Sequence, residues 1–384
     1  MNDPSALIAR HERRYHANPA VYAAPGRVNL IGEHTDYAEG FVMPAAIDFA
    51  TLAAISPRDD GKVVLYAENF GEERSFSADA LPAERGGGWS DYPLGVLSIL
   101  AGEGYTIPPL NLTLWGDVPL SAGLSSSASV EVATAVAVTG LLGVSIPGPR
   151  LARLCQRAEN EFVGASSGIM DQFISANGKA DHAMLLDCRD LSFQLAPIPE
   201  SVALVIANTM VKHSVAGGEY TSRRAQVEEA CRILATHRPE IRFLRDATVA
   251  DLAAWGHEIP PVALKRARHV ITENQRTTDA AKALIQNDLA TLGRLMHEAH
   301  VSYSKDFEAS CVEADTMVDL AQDIPGLIGA RLTGGGFGGC TINLVEQDHA
   351  AGFARILKDR YRAALGIDAE VYICHASAGA HPIA

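Results

Sequence analysis

The sequence contains the run Pro119-Leu-Ser-Ala-Gly-Leu-Ser-Ser-Ser-Ala128 just before a long apolar segment. Residues 124–142 are rich in Ala, Val and Leu and predict one long buried helix that starts between Gly123 and Ser127. Small residues let a polyanion approach the backbone, and the free N–H groups and positive dipole end of a helix favour phosphate. Ordinary N-capping by serine is the alternative. Three consecutive serines after a glycine favour the phosphate interpretation.

A second polar cluster ends the segment Ala24-Pro-Gly-Arg-Val-Asn-Leu-Ile-Gly-Glu-His-Thr-Asp-Tyr37. Arg27 stands among apolar residues, where burial without a partner would be costly. Glu33, His34 and Asp36 follow, and paired carboxylates accept hydrogen bonds well from vicinal sugar hydroxyls. The alternative is a solvated acidic turn, which fits the segment better if it is considered alone.

Two further carboxylates lie near predicted helices. Asp171 stands in the run Gly168-Ile-Met-Asp-Gln-Phe173, near a helix start, either as a partner for the helix dipole or as a functional carboxylate. Glu159 falls at the edge of the apolar stripe of residues 151–162, and a plain helix-surface carboxylate is its alternative. The local sequence favours neither interpretation for either residue.

The late run Arg331-Leu-Thr-Gly-Gly-Gly-Phe-Gly-Gly339 has five glycines among its last six residues. Such a segment loses much backbone entropy on folding, which indicates positive φ angles or a close approach to another group. A tight connection between packed elements is the alternative.

Three familiar motifs are absent or fail in context. No GxxxxGK[ST] run occurs, so a standard P-loop is excluded. Gly334, Gly336 and Gly339 fit GxGxxG but precede an apparent strand rather than a helix, so a dinucleotide site is not expected. Residues 164–168 fit GxSxG but follow a helix, which argues against a nucleophile elbow.

Strands and helices are mixed in both halves of the predicted secondary structure. The patterns predict helices over 4–15, 92–102, 124–142 and 150–162, strands over 21–24, 47–56, 62–67, 110–115, 184–187, 192–195 and 202–207, mostly helix over 220–325, and then a strand at 340–345, a helix at 350–364 and a strand at 370–374. This mixture predicts two α+β domains, 1–190 and 191–384, with the chain crossing between them at 188–201.

The composition and charge of the chain exclude several classes of protein. The 384 residues are 47% hydrophobic and 20% charged, which is typical of a globular protein. The net charge of −14 argues against nucleic acid and anionic lipid as partners. No run approaches the ~20 apolar residues of a membrane span, and the first twenty residues have no apolar core, so a cytoplasmic location is expected. The six scattered cysteines are expected to be reduced and mostly buried.

Together these segments resemble the galactose, homoserine, mevalonate and phosphomevalonate (GHMP) kinase superfamily. Its marks are a Pro-x-Gly-x-Gly-Leu-x-Ser-Ser-Ala phosphate loop and a late glycine-rich loop. Within it, the twelve residues Gly26–Tyr37 resemble the galactokinase signature, and the motifs occur in family order from residue 24 to residue 339. One departure is Ser121, which stands where the phosphate loop usually has its first glycine.

The resemblance implies a two-domain α+β fold with the active site in the cleft between the domains. It implies a kinase that uses ATP and Mg²⁺ to phosphorylate the anomeric hydroxyl of galactose. It also implies these roles: catalysis for Asp171 and Arg27; sugar binding for Glu33, His34, Thr35, Asp36 and Tyr220; ATP phosphate binding for Ser121, Ala122, Gly123, Leu124, Ser125, Ser126 and Ser127; Mg²⁺ ligation for Ser127 and Glu159; and shaping of the closed site for Gly334–Gly339.

Two rival interpretations remain from the sequence. The scaffold could phosphorylate a related sugar, such as N-acetylgalactosamine or arabinose, because selectivity at C2 depends on pocket shape. It could also be a non-catalytic sugar and ATP sensor, although the presence of Arg27, Asp171, Ser127 and Glu159 argues against this. Trp89 and Tyr92 are candidates for adenine contact, since aromatic faces suit a purine. A monomer is expected.

Overall fold

The computed structural model describes residues 3–120, 122–212 and 216–383, with the backbone alone for 212, 216 and 217. Eleven α-helices and thirteen β-strands lie in these residues. The helices are α1 (Pro4–Tyr15), α2 (Asp91–Gly102), α3 (Ser126–Leu141), α4 (Gly148–Arg157), α5 (Met170–Asn177), α6 (Ala216–His237), α7 (Val249–Trp255), α8 (Pro261–Ile285), α9 (Leu289–Lys305), α10 (Val312–Ala321) and α11 (Ala350–Leu365). The strands are β1 (Ala20–Asn29), β2 (Phe41–Val42), β3 (Pro44–Pro57), β4 (Lys62–Ala67), β5 (Glu72–Ser77), β6 (Leu110–Gly116), β7 (His182–Asp187), β8 (Phe193–Pro197), β9 (Val202–Lys212), β10 (Leu327–Leu332), β11 (Gly338–Glu346), β12 (Glu370–Cys374) and β13 (His381–Ile383).

The largest sheet has six strands in the order β13-β1-β3-β6-β4-β5. Neighbouring strands pair antiparallel, except for the parallel pair of β4 and β6. Side chains of β3 alternate between the two faces, as the pleat requires. Leu52 and Ala54 pack with Leu7 of α1, whereas Ala53 and Ile55 pack with the apolar side chains of α2 and α3. The sheet is therefore covered on both faces, which explains why β3 is apolar almost throughout.

A second sheet, in the order β10-β11-β9-β12, is antiparallel throughout. Its central strand β9 also alternates. Leu204 and Ile206 share an apolar cluster with α9, whereas Ala203 and Val205 share another with α10 and α11. Helices thus lie on both faces of this sheet as well.

The two sheets meet in one apolar core. Val28 and Leu30 belong to the same buried cluster as Ile206 and Leu344. A small third sheet, β2-β7-β8, lies beside this core, and β13 returns to pair with β1. The mixed α and β architecture was predicted correctly, whereas a domain boundary at residue 190 stays a prediction.

The predicted elements agree with the structure except in a few places. The helix predicted over 150–162 ends as an α-helix at Arg157 and continues as a wider π-helical turn, Ala158–Val163, which carries Glu159. Strand β5 was not predicted because its residues are polar and mostly exposed, with no alternating apolar pattern. The short strands β2 and β13 were missed as well, since two or three residues carry no periodic signal. Strand β10, between the predicted helical region and the glycine-rich run, was also not predicted.

All six cysteines lie in the described part of the chain, and each is a free thiol, as expected. Four are buried and two are half-buried. None of the helices in the described residues combines the length and apolar character needed to cross a lipid bilayer.

Candidate active site

A cavity of about 380 Å³ opens beside the segment that follows β1. Its walls also come from the turn before α5, from the first part of α6 and from the glycine-rich turn before β11, and so from both predicted domains. The lining residues are Arg27, Glu33, His34, Asp36, Gly164, Ala165, Ser166, Ser167, Gly168, Met170, Asp171, Tyr220, Thr221, Gly334 and Gly335. Residues from four separate sequence motifs therefore meet in one place.

Asp171 is held at the edge of this cavity by two donors from different elements. Arg27 donates from Nε to Oδ1 and from Nη2 to Oδ2, both at 2.8 Å, and Ser125 Oγ donates to Oδ2 at 2.5 Å. Arg27 also donates from Nη1 to the carbonyl oxygen of Gly123 at 2.6 Å. The side chain of Arg27 is 5% exposed and that of Asp171 is 26% exposed. The carboxylate is thus fixed by a bidentate pair while it still faces the cavity.

Glu33 is buried and fixed through one of its two oxygens. Oε1 accepts from Arg331 Nη1 at 3.0 Å and from the backbone N–H of Gly334 at 2.9 Å. Among the described residues, Oε2 has no hydrogen-bond donor, which leaves it for a ligand in the cavity. Arg331 lies fully buried on β10, so this ion pair connects β10 to the segment after β1.

His34 lies in the left-handed region, with φ of 58°, inside a group of aromatic rings. Its ring centroid is 4.3 Å from that of Phe307 and 5.1 Å from that of Tyr220. Nε2 lies 3.3 Å from the carbonyl oxygen of Gly335, and Nδ1 lies 3.0 Å from the hydroxyl of Tyr37. Burial lowers the pKa of His34 to about 3, so the ring is neutral near pH 7. A carbonyl can only accept, so Nε2 carries the proton and Nδ1 accepts from Tyr37.

Asp36 lines the same cavity as Asp171 and is a second carboxylate there. Burial, and then the charges of Asp171 and Glu33, raise the pKa of Asp36 to about 6. Its Oδ1 accepts from the backbone N–H of Tyr37 at 2.9 Å. A Cβ on Gly168 would lie 1.7 Å from Asp36 Oδ2, so any side chain at residue 168 would displace this carboxylate. Thr35, in contrast, points away: its buried hydroxyl donates to the carbonyl oxygens of residues 32 and 41, and it does not line the cavity.

The serine-rich run forms the start of α3, as predicted. Ser125 precedes the helix with φ of 59° and makes no side-chain capping bond, since its hydroxyl donates to Asp171 instead. Ordinary serine capping is therefore wrong for this residue. Gly123 has φ of 77°, and a Cβ on Gly334 would lie 2.9 Å from the carbonyl oxygen of Gly123. The glycine-rich turn thus packs directly on this loop, while the prediction for Ser121 lies outside the described residues.

A second cavity of about 340 Å³ lies beside the start of α3. Ser126 and Ser127 line it together with the two aromatic candidates Trp89 and Tyr92, and Phe70 and Trp115 add two further rings. The other lining residues are Thr51, Ala67, Asn69, Leu114, Gly116, Val118, Leu120 and Val130. This apolar, ring-lined space suits a planar base next to the helix start.

Three models of known families match the chain. They are described as the galactokinase galactose-binding signature (residues 9–57), the GHMP kinases N terminal domain (residues 91–179) and the GHMP kinases C terminal domain (residues 280–363). A galactokinase from Roseiflexus sp. (strain RS-1) is 45% identical over 380 residues, which cover 99% of this chain and 97% of that protein. This chain belongs to the galactokinase family. The resemblance seen in residues 24–339 is thereby confirmed.

Solved structures agree with this galactokinase fold. The crystal structure of Lactococcus lactis galactokinase complexed with galactose matches with a TM-score of 0.95 and 35% identity, covering 99% of each chain. The mevalonate kinase of Methanococcus jannaschii matches with a TM-score of 0.70 and 18% identity over 94% of this chain and 99% of that one, which shows a shared fold. Like other kinases, the galactokinase family uses ATP as phosphoryl donor.

The second predicted metal ligand of this galactokinase-family chain lies on the π-helical turn. Glu159 Oε2 accepts from Ser167 Oγ at 2.6 Å and from Gln172 Nε2 at 2.7 Å. Glu159 does not line either cavity, whereas Ser127 lines the second. Within the described residues, no group of three or more His, Cys, Asp or Glu side chains could hold a metal ion. A cation here would therefore need ligands besides His, Cys, Asp and Glu side chains.

Several residues that support the site of this galactokinase-family chain were not predicted from the sequence. Arg331, at the start of the glycine-rich run, is one of them, although a charge next to a buried strand is itself a signal of pairing. Glu131 is the one charge within residues 124–142 and is fully buried. Burial and the charge of Glu159 raise its pKa well above the usual range. No sequence pattern predicts that Tyr303 and Phe307, which lie far along the chain, pack against His34.

Proposed function

We propose that this kinase transfers the γ-phosphoryl group of ATP to the C1 hydroxyl of α-D-galactose, giving galactose 1-phosphate and ADP. One observation carries the proposal. Ser125, the residue that precedes the proposed phosphate-binding helix, donates to Asp171, which lines the cavity that also contains Glu33, His34 and Asp36. A sugar oxygen near Asp171 would therefore lie beside the terminal phosphate of a nucleotide at the start of α3.

The sugar fits the first cavity by hydrogen-bond chemistry. Oε2 of Glu33 and the carboxylate of Asp36 accept from hydroxyl groups, and Tyr220 adds a further polar group on the wall. The solved Lactococcus lactis relative is complexed with galactose, and galactose is the sugar that we assign to this chain.

The nucleotide fits the start of α3 and the second cavity. Backbone N–H groups at the start of this sixteen-residue helix favour the phosphates. The adenine base would then lie among Trp89, Tyr92 and Trp115. Residues 122–127 would form the phosphate loop between base and sugar.

In the proposed reaction, Asp171 takes the proton of the C1 hydroxyl as this oxygen attacks the γ-phosphorus in line. The new O–P bond forms while the bond to the β,γ-bridging oxygen breaks, and ADP leaves with that electron pair. Arg27 holds the carboxylate and offsets charge on the transferred group.

Mg²⁺ fits the donor chemistry of Ser127 and Glu159. Glu159 Oε2 is taken by two donors, while in the described part of the chain Oε1 accepts no hydrogen bond. Hydroxyl and carboxylate oxygens are the ligands that Mg²⁺ prefers. When bound, the ion would neutralise charge on the phosphates.

The decisive experiment combines a panel of sugars with an ADP-release assay. We expect turnover with galactose to exceed that with N-acetylgalactosamine and arabinose. Binding of galactose and ATP without turnover would instead support a sensor. The monomeric state and cytoplasmic location also belong to this proposal, and scattering of the purified protein and cell fractionation would check them.

The role of Asp171 is tested by Asp171→Asn. General-base catalysis typically contributes about 10²–10⁴-fold, so we expect kcat to fall by about that factor. Galactose affinity, measured by calorimetry without nucleotide, should change little. A kcat near that of the unsubstituted enzyme with intact sugar binding would remove the base from the mechanism.

A further inference from the structure

Three buried polar side chains form a cluster behind the start of α3. Glu131 and Gln172 are fully buried, and Glu159 is 8% exposed. They belong to three different elements: α3, α5 and the π-helical turn. Gln172 directly follows Asp171 in the chain, and Glu131 lies one helical turn after Ser127. The cluster therefore joins the elements that carry Ser127, Glu159 and Asp171.

One amide nitrogen joins the two glutamate side chains. Nε2 of Gln172 donates to Glu131 Oε2 at 3.0 Å and to Glu159 Oε2 at 2.7 Å. An amide NH₂ has two hydrogens, so both are used. A side-chain carbonyl could not donate to the carboxylate of Glu159, which fixes the orientation of the Gln172 amide. Glu131 thus holds the amide, and the amide holds one oxygen of Glu159.

This arrangement controls which way Glu159 points. Its Oε2 is fixed by Gln172 and by Ser167 Oγ at 2.6 Å, so the free Oε1 has one preferred direction. Partners that orient a metal ligand in this way typically change metal affinity by about 10–100-fold when they are lost.

Stability alone gives little reason to keep this cluster. In the described residues, Glu131 Oε1 and Gln172 Oε1 are buried without a hydrogen-bond partner, and each such group costs folding free energy. Apolar side chains of similar size often replace buried charged groups at no cost in stability. A role in function explains better why three polar groups occupy an otherwise apolar region.

We propose that Gln172, held in place by Glu131, is a positioning residue that turns the free oxygen of Glu159 toward the Mg²⁺ ion of the bound nucleotide. This inference rests on the proposed function, in which Glu159 is a ligand of that ion.

The test uses the full-length protein and measures binding of Mn²⁺, as a probe for Mg²⁺, by electron paramagnetic resonance with an unreactive ATP analogue. Gln172→Met keeps the volume of the side chain but removes both donors. We expect it to weaken Mn²⁺ binding by 10-fold or more, with galactose affinity within twofold. Ser175→Ala is the matched control, since this buried hydroxyl on the same helix donates only to the carbonyl oxygen of Pro25. It should leave Mn²⁺ binding unchanged.

A second pair of variants covers the case in which Gln172→Met does not fold. Glu131→Gln keeps an oxygen that accepts from the amide, whereas Glu131→Leu does not. Mn²⁺ binding should therefore weaken less than threefold in the first and about 10-fold in the second. Equal Mn²⁺ affinity in Glu131→Leu and Glu131→Gln would overturn the inference.

Glu159→Gln separates this inference from the proposed metal site. If Glu159→Gln weakens Mn²⁺ binding but Gln172→Met does not, Glu159 is a ligand and Gln172 does not position it. If Glu159→Gln leaves Mn²⁺ binding unchanged, the metal site itself is wrong and the inference falls with it.

Discussion

The sugar end and the nucleotide end of the proposed site are built in different ways. At the sugar end, side chains form the surface, and each is fixed by buried partners: Glu33 by Arg331, and His34 by Tyr37 and Phe307. At the nucleotide end, the start of α3 offers mainly backbone N–H groups in a loop with two left-handed residues, Gly123 and Ser125. Recognition by side chains is easily lost through substitution, whereas recognition by backbone tolerates changes that keep its conformation.

Among the substitutions that test this difference between the two ends, Arg331→Met is expected to have the largest effect. The change leaves Glu33 buried without its cationic partner, and breaking a buried ion pair costs about 3–5 kcal/mol. We expect the KM for galactose to rise by 10-fold or more, while the KM for ATP stays within threefold. Steady-state kinetics and chemical denaturation measure both effects.

Arg266→Met is the control for Arg331→Met. Arg266 is equally buried but bonds to Gln226, Asp306 and Glu308, none of which lines the sugar cavity. It should lower stability with little change in the KM for galactose. Equal changes in the galactose KM for both variants would mean that the sugar end is not held by Arg331 specifically.

The next largest effect should come from Gly168→Ala. Its Cβ would lie 1.7 Å from Asp36 Oδ2, so the carboxylate must move. We expect the KM for galactose to rise by several-fold with no change in folding cooperativity. Gly218→Ala is the matched control, because its Cβ would meet nothing within 4 Å and alanine favours the helix. A galactose KM equal to that of the unsubstituted enzyme would show that Asp36 is not fixed as the structure indicates.

The pH dependence of galactose affinity should report the protonation of Asp36 at the sugar end. Its pKa of about 6 means that the carboxylate gains a proton as the pH falls through 6, and a neutral acid accepts hydrogen bonds less strongly. Galactose affinity, measured by calorimetry from pH 8 to pH 5, should therefore weaken several-fold near pH 6. His34 does not interfere, since its pKa is about 3. In Asp36→Asn this inflection should be absent.

The raised pKa of Asp36 also makes stability depend on pH. This dependence has the opposite sign from that of a salt-bridged aspartate, whose pKa is lowered. The folded pKa lies above the unfolded value of 3.8, so ionised Asp36 destabilises the fold above pH 6, and this cost fades as the pH falls toward 4. Asp36→Asn should accordingly raise the melting temperature at pH 7 more than at pH 4. An equal gain at both pH values would contradict the raised pKa.

The smallest effect is expected at the nucleotide end, from Ser126→Ala. The backbone N–H groups remain in place, so the KM for ATP should change less than threefold. Gly123→Ala puts a Cβ on a residue with φ of 77° and should raise the KM for ATP by more than Ser126→Ala does. The reverse order would show that serine hydroxyls, rather than backbone conformation, bind the phosphates.

Much of the fold followed from sequence patterns, and much of the site did not. Helices such as α1 and α3 and strands such as β3 and β6 have clear periodicity and were predicted within a few residues. The cluster of Glu33, His34 and Asp36 could be found because polar residues crowd in an apolar segment. Arg331, Phe307 and Gln172 could not be assigned to the site, since their contacts join positions far apart in the chain, and no local pattern encodes such contacts.

Gly334 bears on attempts to redesign the sugar preference of this enzyme. Its N–H donates to Glu33, and a Cβ added to it would lie 2.9 Å from the carbonyl oxygen of Gly123, so it belongs to both ends of the site. A mutant library can vary Tyr220 or Ser166 on the cavity wall with local consequences. Any side chain introduced at residue 334 would push the two loops apart, so directed evolution should leave this position as glycine.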